Sequence, residues 1–210
     1  MFGAKGTRFE ALQFHFHSPS EHTIDGKHTD LEIHIVHQMK MNQTVDAEGN
    51  PIDPGKIMYG VVGLLFDVHH FDKSISALAN QTVQEFLHEL RLKELYEADE
   101  EHVETEKVNL GEFMNIVNFN KRWVYHGSLT TPPCSPVVYW NVIDFIFPIR
   151  DIEFLHVQEL MHKYHHHIGG STSHRTIQPI RKQGVRYFNS AVQVTALITL
   201  ASSSLLISFL

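Results

Sequence analysis

Between Leu12 and His17 apolar and polar residues alternate one for one, and the same period of two returns from Asp30 to His37. Side chains two apart on a strand share a face, so both stretches are predicted to be strands with one apolar and one polar side. The run MYGVVGLLFDV within Ile57 to Val68 is almost continuously apolar and predicts a strand buried on both faces. Beyond Asp72 the spacing becomes helical, with Ile75, Leu78, Ala79, Val83, Phe86, Leu87 and Leu90 on one stripe. Trp123 to Tyr125 and Val137 to Phe147 read as strands flanking a Gly-Ser-Leu-Thr-Thr-Pro-Pro turn, and Phe154 to Tyr164 as a short amphipathic helix. Met41 to Lys56, with two prolines and two glycines, reads as a loop, and Glu97 to Glu106 as a solvated acidic surface. No repeat or linker interrupts the pattern, which describes one sheet-dominated domain with peripheral helices.

Composition adds three constraints. The formal charge is -7 over 210 residues and the basic residues are scattered, which argues against a nucleic-acid partner. Histidine is abundant, at 17 residues, and neutral imidazole is a common zinc ligand. Cys134 is the only cysteine, so neither an intrachain disulfide nor a cysteine-rich metal module can form. Taken alone, that points to a reducing compartment. The N-terminus lacks the charged start and apolar run of a signal peptide. From Ala191 to Leu210 there is no charged residue, and this tail reads as a GPI signal, a terminal membrane anchor or a frayed end.

The two alternating strands carry the chemistry. Gln13, His15 and His17 share one face, opposite Phe14 and Phe16; Glu32, His34 and Val36 share another, opposite Leu31, Ile33 and Ile35. In both strands a polar acceptor precedes a histidine by two positions. A metal-bound imidazole needs its other nitrogen held by such a group. If the strands are neighbours, three nitrogens converge and leave a fourth tetrahedral position open, the pattern of a catalytic zinc. The alternative is a half-polar sheet face whose histidines are simply hydrogen-bonded, and spacing alone leaves both open. The denser stretch HKYHHHIGGSTSH, His162 to His174, reads as an exposed loop, since contiguous histidines cannot all face one ion from a regular element.

QFHFH, SEHTIDGK, LEIHIVH and YHGSLTTPPCSPVVYW, with the closing SHRTIQPIR, resemble the α-class carbonic anhydrases from about Leu12 to Pro179. The resemblance implies a mainly β, α+β fold: a single domain over residues 1–188 on a large, twisted, predominantly antiparallel sheet, lacking the family's N-terminal third. Residues 189–210 would be an apolar segment beyond it. It further implies His15, His17 and His34 as zinc ligands, with Gln13 and Glu32 holding their far nitrogens. Thr130 would accept a hydrogen bond from zinc-bound hydroxide and pass its own proton to Glu21. Val36, Val61, Leu129, Val138 and Trp140 would wall the carbon dioxide pocket, with Thr131 lining its substrate side. The implied activity is reversible hydration of carbon dioxide to bicarbonate; the alternative is an inactive domain of the same family serving as a binding or adhesion module. No protein partner is indicated. His22, His28 and His126 are candidates for relaying the proton. Cys134 resembles half of a disulfide whose partner lies in the family's N-terminal part, and with the apolar tail this implies a membrane-anchored protein of the outer surface or secretory route.

Overall fold

This computed structural model describes residues 8–40, 57–97, 108–165, 173–180, 184–189 and 206–209. The two alternating stretches are strands β1 (Arg8–His17) and β4 (Leu31–Lys40), separated by a small hairpin of β2 (Thr23–Ile24) and β3 (Lys27–His28). Asp25 and Gly26 turn that hairpin, both with positive φ, 51° and 75°. An Asp-Gly pair is a tight-turn signal that strand periodicity alone passes over. The apolar run is β5 (Tyr59–Asp67), and α1 (Ala77–Glu89) follows it. Helix α1 is capped by Ser76, whose Oγ accepts from the Ala79 backbone N–H at 3.1 Å. Leu78 is 74% exposed, since it lies in the first turn, outside the stripe of Val83, Phe86 and Leu87 that packs inward.

Two short helices, α2 (Leu92–Glu97) and α3 (Leu110–Ile116), precede β6 (Lys121–Gly127) and β7 (Val138–Pro148); α4 (Asp151–His165) and β8 (Arg186–Asn189) come next, and β9 (Leu206–Phe209) lies last. The strands form one seven-stranded sheet in the order β8-β6-β7-β5-β4-β1-β9. Four of its pairings are antiparallel, while β5 with β7 and β1 with β9 are parallel. The sheet is therefore mixed but predominantly antiparallel, as expected.

One face of the sheet carries the main core. Phe14, Phe16, Ile33, Ile35, Val62, Leu64 and Phe66 meet Val83, Phe86 and Leu87 of α1, Phe113 of α3 and Val157 and Leu160 of α4. Phe86 and Phe113 stack with ring centroids 4.5 Å apart. The opposite face bears the histidines.

The membrane assignment made for the tail is corrected. No helix among the described residues is long and apolar enough to cross a membrane. Leu206–Phe209, within the segment expected to be an anchor, pairs as a parallel strand with Gln13 to Phe16 of β1. A short apolar run holding Ser208 can meet its backbone hydrogen bonds at a strand edge as readily as in a helix, which composition does not distinguish. The membrane-anchored localisation drawn in part from that tail is corrected on the same finding. Residues 190–205, the loop at 41–56, most of the acidic stretch and residues 166–172 of the histidine-rich run lie outside the described residues.

Candidate metal centre

Strand register brings the three histidines together. β1 pairs antiparallel with β4 so that His15 lies opposite His34 and His17 opposite Glu32, which puts both polar faces on one side of the sheet. A register shift between Ala11 and Gln13 leaves Leu12 as an unpaired bulge, 49% exposed. Because one inserted residue reverses the facing of everything before it, this bulge lets the upper part of β1 pair normally while Gln13 joins the histidine face.

His15, His17 and His34 are 6%, 1% and 1% exposed, and each offers a ring nitrogen within 4.8 Å of the others. The far nitrogen of each ring is held by a different acceptor. His15 Nδ1 donates to Gln13 Oε1 at 2.9 Å, His34 Nε2 to Glu32 Oε1 at 2.9 Å, and His17 Nδ1 to the Ser173 carbonyl at 2.8 Å. In a neutral imidazole only one nitrogen carries hydrogen, so the remaining atoms, His15 Nε2, His17 Nε2 and His34 Nδ1, are lone pairs pointing at one place.

Two observations show that this donor set fits a zinc ion. His17 Nε2 is buried with no hydrogen-bond partner, a state costly to maintain without a ligand. His15 Nε2 and His34 Nδ1 face each other at 3.3 Å. Two nitrogens each about 2.05 Å from an ion at the tetrahedral angle would lie about 3.3 Å apart. A second group, His22, Glu32 and His34, also has ligand atoms close enough for a metal, but its members satisfy one another by hydrogen bonds. The three-histidine set is the one with unmet demand.

Electrostatics keep the imidazoles in ligand form. Burial first, and then the neighbouring His34 and His17, push His15 down to about 2; burial and His34 push His17 down to about 4. Burial acts on Glu32 in the opposite sense, yet His22 and His34 beside it hold its carboxyl well below the usual range.

Glu21 reaches the same place. Its Oε2 lies 3.6 Å from His17 Nε2 and 3.9 Å from His34 Nδ1, while its Oε1 accepts from the Arg175 backbone N–H at 2.7 Å. Glu21 Oε2 has no hydrogen-bond partner, so the expected bond from Thr130 to that oxygen is not made; Thr130 is half-buried at the start of the Pro-Pro turn. The residues expected to wall a pocket are neighbours. Val36, Val61, Val138 and Trp140 form a small buried cluster of their own, with Leu129 packed against it, and Thr131 is exposed outside it. Trp140 also sets its ring edge-on to His34, with centroids 4.7 Å apart.

Three contributors escaped the sequence reading. Ser173 comes from the stretch read as an exposed loop and Arg175 from the closing SHRTIQPIR segment, each more than 150 residues beyond the group it holds. Gly63 sits opposite His34 in β5, and a Cβ there would come within 2.7 Å of Glu32 Oε1. An isolated glycine inside an apolar strand is a signal of such close approach. Cys134, with φ of 55°, is a free thiol.

The family described as eukaryotic-type carbonic anhydrase matches residues 1–189. Alpha carbonic anhydrase 8 of Arabidopsis thaliana is 30% identical over 193 residues, taking in 90% of this chain and 41% of that protein. A carbonic anhydrase of Nostoc is 29% identical over 65% of this chain and 41% of its own length. Among solved structures, a hyperthermostable carbonic anhydrase from a hydrothermal vent chimney is 27% identical with a TM-score of 0.54, covering 88% of this chain and 66% of the other. The α-carbonic anhydrase of Thermovibrio ammonificans, solved with the inhibitor sulfanilamide, is 26% identical with a TM-score of 0.54, covering 86% and 64%. The chain thus spans about half the length of the curated relatives it matches, from 41% to 56% for the first three.

Proposed function

We propose, for a chain that belongs to the eukaryotic-type carbonic anhydrase family, that its histidine face binds zinc and catalyses the reversible hydration of carbon dioxide to bicarbonate and a proton. The observation that carries this reading is the convergence of three imidazole lone pairs, one of them orphaned, with every far nitrogen held. His15, His17 and His34 are the proposed ligands, oriented by Gln13, Ser173 and Glu32. Bound there, zinc would supply Lewis acidity that brings the pKa of a water to about 7, so that hydroxide is available near neutral pH.

The remaining residues would orient and enclose the reactants. Glu21 keeps one carboxylate oxygen fixed by Arg175 and presents the other as an open acceptor beside the cluster. We assign the Thr130 hydroxyl as its donor. With its proton committed there, Thr130 Oγ1 can only accept from the nucleophile, which turns the attacking lone pair toward substrate. Carbon dioxide offers almost nothing to hydrogen-bond, so an apolar wall of Val36, Val61, Leu129, Val138 and Trp140 suits it, with Thr131 bordering the solvent side.

The test is carbon dioxide hydration by the purified chain, followed by stopped flow with a pH indicator. The expected outcome is one zinc per chain and hydration above the buffer rate, abolished by sulfanilamide. Folded, zinc-loaded protein without hydration would instead support the binding-module alternative and place the deficit at Thr130 and Glu21.

A further inference from the structure

We infer that His22 and Tyr125 brace the metal centre from outside: they fix the Glu32 carboxylate and thereby set how slowly His34 lets its ion go. This rests on the zinc-site reading. Glu32 is fully buried and receives three N–H donors. His34 Nε2 reaches Oε1 at 2.9 Å, His22 Nδ1 reaches the same oxygen at 2.6 Å, and the His22 backbone N–H reaches Oε2 at 2.8 Å. Two of the three therefore come from one residue. Without them the carboxylate would be held only by the imidazole that it is supposed to orient.

His22 is in turn prevented from turning over. Its Nε2 lies 2.7 Å from the Tyr125 hydroxyl, on β6, and its ring packs edge-on against Trp140 with centroids 5.0 Å apart. A flipped ring would present carbon to Glu32. With both nitrogens engaged, His22 is a positioning residue rather than the proton relay its place near the histidines suggests. The brace also needs the space that Gly63 leaves, since a methyl group at that position would sit against Glu32 Oε1. Groups that orient a metal-bound histidine typically matter ~10–100-fold in metal affinity, so one step further out the effect should be on the order of 10-fold.

The amide replacements separate the two ends of the ring. Asn places an N–H donor where His22 Nδ1 stands, and Gln where Nε2 stands. The experiment measures zinc release into excess chelator from wild type, His22→Asn, His22→Gln and Tyr125→Phe, with circular dichroism melts to follow folding. The expected result is release about 10-fold faster for His22→Gln, within about 3-fold of wild type for His22→Asn, and intermediate for Tyr125→Phe. Equal release from the Asn and Gln variants, or wild-type release from all three, would overturn the brace. If His22→Gln does not fold, Tyr125→Phe decides alone: release at the wild-type rate overturns the inference. Wild type that retains no zinc would overturn the metal-site reading itself and the brace with it, and is told apart by the metal content measured beforehand.

Discussion

On one side of β1 and β4, Phe14, Phe16, Ile33 and Ile35 are at most 1% exposed; on the other side of the same two strands, His17, Glu32 and His34 are buried just as deeply. The same backbone alternation thus produces two interiors with different demands. The apolar face needs only volume filled, and the helices fill it. The polar face must satisfy every buried nitrogen and oxygen, because an unmet one costs on the order of 1–3 kcal/mol. It does so with partners drawn from Ser173, Arg175, His22 and Gly63's empty space, and it leaves His17 Nε2 and Glu21 Oε2 unmet at one point. Burial alone does not distinguish a core from a site. The pattern of satisfaction does.

Each face can be perturbed on its own. Phe16→Ala, which removes a fully buried ring from the helix-covered face, should cost about 3–5 kcal/mol in urea unfolding while the folded fraction still takes up zinc. Loss of zinc uptake by folded Phe16→Ala protein would mean the two faces are not separable.

Acid should act on the other face. In metal-free protein, His15 and His17 have folded values depressed below the ordinary 6.5, to about 2 and about 4. Above pH 6.5 both states are neutral and nothing is gained or lost. Below it the unfolded chain takes up protons that the folded chain refuses, so stability falls as pH drops toward those lower values. His22, whose folded value is raised, gives its full contribution below 6.5 and does not offset the fall within that window. Between pH 7 and pH 5 the loss should be on the order of 2 kcal/mol for each depressed histidine. A flat urea midpoint over that range would contradict the burial argument.

Gly63→Ala should weaken zinc binding by ~10–100-fold, because the added methyl displaces Glu32 from His34. Competition against a chelator measures it, and unchanged affinity would show that the carboxylate has room to yield. Smallest, Ser76→Ala should remove only the cap of α1, costing about 1 kcal/mol of stability with zinc affinity unchanged.

What was legible in the sequence follows from range. The strands bearing His15, His17 and His34, and the acceptors Gln13 and Glu32 two positions before histidines, were readable because period two is local. The pocket-wall role proposed for Val36, Val61, Leu129, Val138 and Trp140 came from family resemblance, since nothing in their spacing separates a pocket from ordinary core. Ser173 holds His17 through a backbone carbonyl 156 residues away, and carbonyls carry no residue identity to recognise. Tyr125 meets His22 across 103 residues, which only the β6–β7–β5–β4 sheet order explains. Helix α3 had a readable start, Asn109 followed three residues later by Glu112, with side chains bonded at 2.7 Å; its 7 residues were too short to show a period. The tail failed for the opposite reason, as a run of apolar residues fits a span, a signal or a strand equally.

Whether the convergent lone pairs of His15, His17 and His34 hold zinc is read from zinc content after exhaustive dialysis. Bound zinc spread over four ligands amounts to roughly 2.5–4 kcal/mol for each, so His34→Ala should weaken binding by about 100- to 1,000-fold. One zinc per wild-type chain and none retained by His34→Ala is the expected outcome. Wild type emerging metal-free while folded, or His34→Ala keeping its zinc, would contradict it.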